Sequence, residues 1–169
     1  MIATSISNGF RSALAALFFL AAAPSAPVEA ASASQQMQFA SEPLTIVTAG
    51  GKKHKFVVEL ALNDAQRERG LMFRKTMASD HGMLFDFARS RHVMMWMENT
   101  ALPLDMLFLD ANGTITHIAA NAVPYSEAII DSETPVRYVI ELNGGLAAKL
   151  GLAIGDKAAS ATIAKGLSD

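Results

Sequence analysis

Between Leu44 and Ala164 the apolar residues come in short runs, each cut off by a glycine- or asparagine-bearing turn such as Ala49-Gly50-Gly51, Asn112-Gly113 or Asn143-Gly144-Gly145. This punctuation restricts the fold more than any other feature. Short runs leave no room for the long amphipathic helices of a bundle, and glycine or asparagine supplies the positive φ that tight hairpins need. The pattern predicts an all-β domain, a sandwich or partly open barrel, decorated by one or two short helices.

Leu44 to Thr48 and Lys55 to Leu62 read as a hairpin pair, and in the second run Phe56, Val58 and Leu60 define one apolar face. Asn63 is placed to cap a short helix with Gln66 at the capping-box position, and Gly70 is placed to end it in the left-handed conformation. Further strands are expected over Gly82 to Phe87, His92 to Met97, Met106 to Asp110, Thr114 to Ala120, Val136 to Leu142 and Ala158 to Ala164. The charged segment Ala88 to Arg91 is expected as a loop, Pro124 to Pro135 as an irregular connection, and Leu146 to Leu150 as a helical turn stopped by Gly151.

The N-terminus differs in character from the rest. Arg11 precedes the apolar run Ser12 to Ala23, Pro24 ends it, and Val28-Glu29-Ala30 and Ala31-Ser32-Ala33 resemble cleavage sites. The run falls short of the ~20 residues that span a bilayer, so residues 1–30 are expected to be a signal peptide and not a stable membrane anchor. The expected location is the periplasm or the medium. Residues 31–43 are expected as a flexible lead-in, 44–164 as one β-rich domain and 165–169 as a tail. The chain has no cysteine, which excludes disulfides, thiolate chemistry and a lipid anchor through cysteine. Its formal net charge of −2 argues against a nucleic-acid surface, which needs dense lysine and arginine.

One segment concentrates candidate chemistry. Val93 to Asp110 sets Trp96, the single tryptophan, beside Glu98, Asn99, Thr100 and Asp105 at the junction of two apolar runs. Trp96, Asn99, Thr100 and Asp105 are candidate ligand-binding residues, since an indole beside hydrogen-bonding groups can hold a flat apolar face or a sugar. The same residues also suit a plain structural job, because Asn, Thr and Asp bond nearby backbone in turns. Glu141, between Ile140 and Leu142, either faces solvent or is buried against an arginine such as Arg69, Arg74 or Arg137, which adds Glu141 and Arg69 to the candidates. Paired use of Glu98, Asp105, Asp110 and Glu141 for hydrolysis would need two of them across one cleft. His54, His81, His92 and His117 have no metal-ligand spacing, Met94, Met95 and Met97 make a weak copper site at best, and no nucleotide or nucleophile motif is present, so no metal or cofactor is expected.

Five separated blocks carry a family resemblance: Glu68 to Arg74, Gly82 to Phe85, Trp96 to Phe108, Val139 to Gly145 and Gly155-Asp156. In this order they resemble the family called domain of unknown function 192, over nearly all of Leu44 to Ile163. The resemblance implies a compact β-sandwich or barrel, often exported in bacteria, and implies no enzyme, substrate or cofactor. Family members usually carry a basic residue where Glu98 stands. The function expected is a non-catalytic module binding a small molecule, a saccharide or an envelope polymer near Trp96 to Asp105. The alternatives are a structural or partner-binding envelope protein and a carboxylate-dependent hydrolase. The sequence does not bear on oligomeric state.

Overall fold

A computed structural model describes residues 37–168. The expected signal peptide, residues 1–30, lies outside the described residues. Among the described residues nine strands form, β1 Ser41–Val47, β2 Lys53–Ala61, β3 His81–Arg91, β4 Met94–Met95, β5 Leu104–Leu109, β6 Ile115–Ala122, β7 Ile130–Asp131, β8 Val136–Asn143 and β9 Lys157–Ser160, with three helices, α1 Asp64–Arg69, α2 Leu146–Leu150 and α3 Ala161–Gly166. Among the described residues no helix is long and apolar enough to cross a membrane.

Seven strands make one sheet in the order β6-β5-β8-β3-β2-β1-β9. Only β2 and β3 run parallel, and α1 lies in the connection that makes this possible. The sheet curls into a half-barrel. Its two edges approach each other through a bridge between Thr114 and Lys157, where the Ala158 amide donates to the Gly113 carbonyl oxygen and the Ile115 amide to that of Asp156. An edge tied in this way does not offer a free row of backbone groups to another chain. The predicted all-β architecture with short helices is therefore the observed one.

Strand alternation feeds two cores. Ile46, Val58, Leu84, Leu107, Tyr138 and Ile140 share one face of the sheet and pack with Ala147 of α2 and Ile163 of α3. Met83, Phe85, Met106, Phe108 and Val139 share the other and are covered by Leu71, Val93 and Met97. The cover of this second face comes from the segment after α1 and from the small β4–β7 ladder, where Met94 opposes Asp131 and Met95 opposes Ile130. The positioning of the cleft described below follows from this second layer.

The hairpin read at Asn112-Gly113 joins β5 to β6. Asp110 holds it by accepting from the amides of Asn112 and Thr114, both at 2.8 Å. Gly113 has φ +74°, and a Cβ there would sit 2.5 Å from the Ala158 carbonyl oxygen. Gly113→Ala is therefore expected to destabilise by roughly 2–4 kcal/mol, from left-handed strain and from pushing β9 off the edge of β6. A urea melt of the variant measures it.

Several expectations need correction. Ala88 to Arg91 is not a loop: it belongs to β3, which bends there as Ala88 adopts φ +63° and the register with β8 shifts between Asp86 and Arg91. The strand expected from His92 to Met97 shrinks to Met94–Met95, because its partner β7 is only two residues long. The closing strand ends at Ser160, whose hydroxyl oxygen accepts from the Ile163 amide and starts α3, a third helix. At the other end of the domain β1 takes in Ser41, Glu42 and Pro43, three residues assigned to the lead-in. Gly70 does end α1 with a positive φ, but its ψ of −138° is not that of the left-handed helix, so the chain leaves α1 extended.

Candidate functional site

A cleft of about 140 Å³, open to solvent, lies between α1 and the turn that follows β4. Leu71, Phe85, Phe87, Met94, Met95 and Trp96 supply its apolar walls, and Arg67, Glu68, Arg69, Thr100 and Glu141 its polar groups.

Glu141 is the unusual member. β8 pairs with β3 and β5 so that Met83, Glu141 and Met106 lie side by side and share the second face of the sheet. Two buried methionines therefore flank a carboxyl group that is itself only 4% exposed. No described residue donates a hydrogen bond to it or pairs with its charge. The arginines that were its expected partners are engaged elsewhere. Arg74 forms a two-pronged pair with Glu59, Arg137 bonds Asp86 and the Gly166 carbonyl oxygen, and Arg69 lies over the ring of Phe73 at 4.6 Å. Burial without compensation pushes Glu141 up from the usual 4.5 to about 8. Around neutral pH it is a carboxylic acid, able to donate one hydrogen bond into the cleft.

Trp96 stands at the cleft wall with 44% of its surface exposed, while its neighbour Met97 turns inward to the core. The turn after it is built by the backbone. The Thr100 amide donates to the Met97 carbonyl oxygen, closing a turn in which Asn99 adopts φ +53°, a conformation asparagine tolerates well. Asn99 also accepts from the Phe73 amide through its carbonyl oxygen at 2.8 Å. Phe73 itself has φ +64° and is exposed, so two residues in the sparsely populated left-handed region meet at the edge of the site. Thr100 is buried, lines the cleft, and donates from its hydroxyl to the Glu98 carbonyl oxygen, leaving its own oxygen free to accept.

Asp105 is separate from this group. It shares the first face of the sheet with Leu107, opposite Leu142, away from Glu141. Its carboxylate is fully buried and accepts from the amides of Asn121 at 2.8 Å, Gly145 at 2.9 Å and Ala147 at 2.7 Å. It joins β6 and the start of α2 to β5. Of the six candidate residues, then, Trp96, Thr100, Glu141 and Arg69 line one cleft, Asn99 shapes its edge, and Asp105 does neither. Glu141 is the only one of the four sequence-named carboxylates in this lining. Glu98 borders a neighbouring depression with Trp96 and Glu127, and Asp110 holds a hairpin. No group of three or more His, Asp or Glu among the described residues could hold a metal ion.

Sequence reading missed the apolar walls contributed by Leu71, Phe85 and Phe87. Phe85 and Phe87 stand two apart in β3 and so project to one face, but nothing local says that α1 and the following turn leave that face partly uncovered.

This combination defines a partly open mixed β-barrel with a cleft on its outer face. The family model of domain of unknown function 192, described as "Uncharacterized ACR", matches residues 45–159, and the chain belongs to that family. Among solved structures, the chain is similar to a protein of Sinorhizobium meliloti 1021, provisionally described as a transcription regulator. The two are 56% identical, with a TM-score of 0.74 and coverage of 75% of this chain and 98% of that one. It is also similar to a protein of unknown function from Novosphingobium aromaticivorans DSM 12444, at 39% identity and a TM-score of 0.68, covering 82% of this chain and 94% of that one. No curated protein matches the chain.

Proposed function

We propose that this protein is an exported, non-catalytic binding module that holds a small, largely apolar molecule in the cleft between Trp96 and Glu141. The observation that carries this reading is Glu141, a buried carboxyl group with no partner among the described residues that faces a solvent-open, largely apolar cleft. Buried polar groups nearly always find a hydrogen-bond partner, and one left without a protein partner at the base of a cleft suits a ligand acceptor. The apolar walls favour an aromatic or aliphatic molecule over a saccharide, whose many hydroxyls would each need a partner. The N-terminal run from Ser12 to Ala23 supports the exported location.

For the hydrolase alternative, only Glu141 of the four named carboxylates lines the cleft, and the second carboxyl group there is Glu68 on the exposed surface of α1. A nucleic-acid role, one way to take the description of the Sinorhizobium relative, would need a strongly basic surface, and this chain has 14 Lys and Arg against 16 Asp and Glu. The second reading is partner binding, favoured by the exposed Val123, Tyr125 and Ile129 on the segment beside the Trp96 turn.

Trp96 is the only tryptophan, so its emission reports on the cleft directly. A library of small aromatic and aliphatic compounds screened by this emission is expected to yield binders whose signal disappears in a Glu141→Leu variant of unchanged fold. Binders that remain equally strong in that variant would place their site elsewhere and contradict the reading.

A further inference from the structure

The cleft does not end at α1. Arg69, Gly70 and Met72 also wall a second depression, completed by Phe39, Arg74, Lys75 and Thr76. The two depressions therefore share one wall and meet across the chain that leaves Gly70. Gly70 has φ +44°, and a Cβ there would come within 3.3 Å of the Phe85 ring, so a side chain at this point of the shared wall would crowd the cleft. The second depression has no carboxylate in its lining. Of its three cations, Arg74 is neutralised by Glu59, while Arg69 and Lys75 have no carboxylate partner among the described residues. The opposite end of the main cleft, beyond Trp96, is acidic, with Glu98 and Glu127. The cleft, mostly apolar but edged by Arg67, Glu68 and Arg69 of α1, therefore lies between a basic depression on one side and an acidic one on the other.

We propose that the cleft and the basic depression form one bipartite site for an amphiphilic carboxylate: an aryl or alkyl body lies between Trp96 and Phe85 with an uncharged oxygen at Glu141, and the carboxylate head meets Arg69 and Lys75. This rests on the small-molecule reading above and names its ligand class. The two unpaired cations match a single negative charge, whereas the acidic end repels it, so the groove fixes the direction in which the molecule lies. The acceptor over Glu141 must be uncharged, because a second negative charge in that apolar setting would find no cation. Arg67, the other cation of the lining, is held by Asp64 and by the carbonyl oxygens of Leu62 and Asp86.

The site also has a defined pH response. The charged groups that face Glu141 across the cleft are Arg67, Glu68 and Arg69 of α1, and β3, β4 and the Trp96 turn contribute none. While Glu141 keeps its proton it donates to the bound oxygen. As it ionises towards and above pH 8 it repels the same oxygen, and affinity falls.

Three probes separate the parts: 4-benzoylbenzoate, which has an aryl body, a ketone and a carboxylate; 4-benzoylbenzamide, which lacks the charge; and 4-benzylbenzoate, which lacks the ketone. Their affinities are measured by titration calorimetry, with Trp96 emission locating the site. 4-Benzoylbenzoate should bind about 10-fold or more tightly than the amide, the worth of one charge-assisted contact. That ratio should collapse towards one in Arg69→Met/Lys75→Met, which changes two exposed side chains and leaves the fold intact by circular dichroism. The preference for the ketone over 4-benzylbenzoate should weaken between pH 6.5 and 8.5, persist at both pH values in Glu141→Gln, and vanish in Glu141→Leu. Equal binding of benzoate and amide, unchanged in the double variant, would overturn the amphiphilic carboxylate and leave the small-molecule cleft standing. Failure of all three probes to bind or to perturb Trp96 would overturn both.

Discussion

Glu141→Gln is expected to leave the protein more stable than wild type at alkaline pH, with the advantage shrinking as the pH falls. Unfolded, the carboxyl group titrates near its ordinary 4.5, and in the fold burial raises it to about 8. Between those values the folded protein holds a proton that the unfolded chain has released. Stability contributed by this group therefore declines as pH rises from below 5, by up to about 1.4 kcal/mol per unit, and levels off above pH 8. The full span amounts to on the order of 4–5 kcal/mol, an upper bound because a cleft open to solvent can admit water to an ionised carboxylate. Glutamine has no proton to lose and nearly the same shape. Urea melts of both proteins at pH 5, 6.5, 8 and 9 should show two stabilities that nearly coincide in acid and diverge in base. A difference independent of pH would mean that Glu141 is ionised in the fold across this range.

Asp105→Ala is expected to be among the most damaging single changes in the domain, by roughly 3–5 kcal/mol. Its carboxylate satisfies three backbone amides, those of Asn121, Gly145 and Ala147, and all three belong to segments far from Asp105 in sequence. Alanine would strand these donors where little water reaches and would release the start of α2 from the sheet. Asp105→Asn keeps one acceptor oxygen and should lose about half as much. The carboxylate lies on the face of the sheet away from the cleft, so cleft binders should keep their affinity for the fraction of either variant that remains folded. A loss of affinity without a loss of stability would contradict this assignment.

Local chemistry was readable where it decided the structure locally. Asn63 accepts from the Gln66 amide at 2.9 Å and starts α1, Gly151 ends α2 in the left-handed conformation, and Phe56, Val58 and Leu60 share the core face of β2. What the sequence left open was settled by parts of the chain that lie far apart. Alternation fixes that Glu141 points away from Ile140 and Leu142, yet both faces of β8 are covered, one by the interior of the half-barrel and the other by Leu71, Met97 and the β4–β7 ladder. Of the two outcomes that strand period allowed for Glu141, solvent exposure or burial against an arginine, the fold gives burial, with the arginines engaged elsewhere. Asp105 and Thr100 looked alike as turn-stabilising polar residues. Only the pairing of β5 with β8 sends Asp105 to one side of the sheet, while the Trp96 turn sets Thr100 into the cleft on the other. In Ala158 to Ala164, small and β-branched residues suit strand or helix equally, and the Ser160 cap decided between them.

The account depends most on Glu141 being a neutral acid at the base of the cleft. Carbon-13 NMR of the glutamate side-chain carboxyls, followed from pH 3 to pH 10 in wild type and Glu141→Gln, observes that state directly. One resonance should titrate near pH 8, well apart from the other glutamates, and it should be missing from the variant. If the resonance missing from the variant instead titrates near 4.5 with the others, Glu141 is an ordinary carboxylate and the donor assigned to the cleft does not exist.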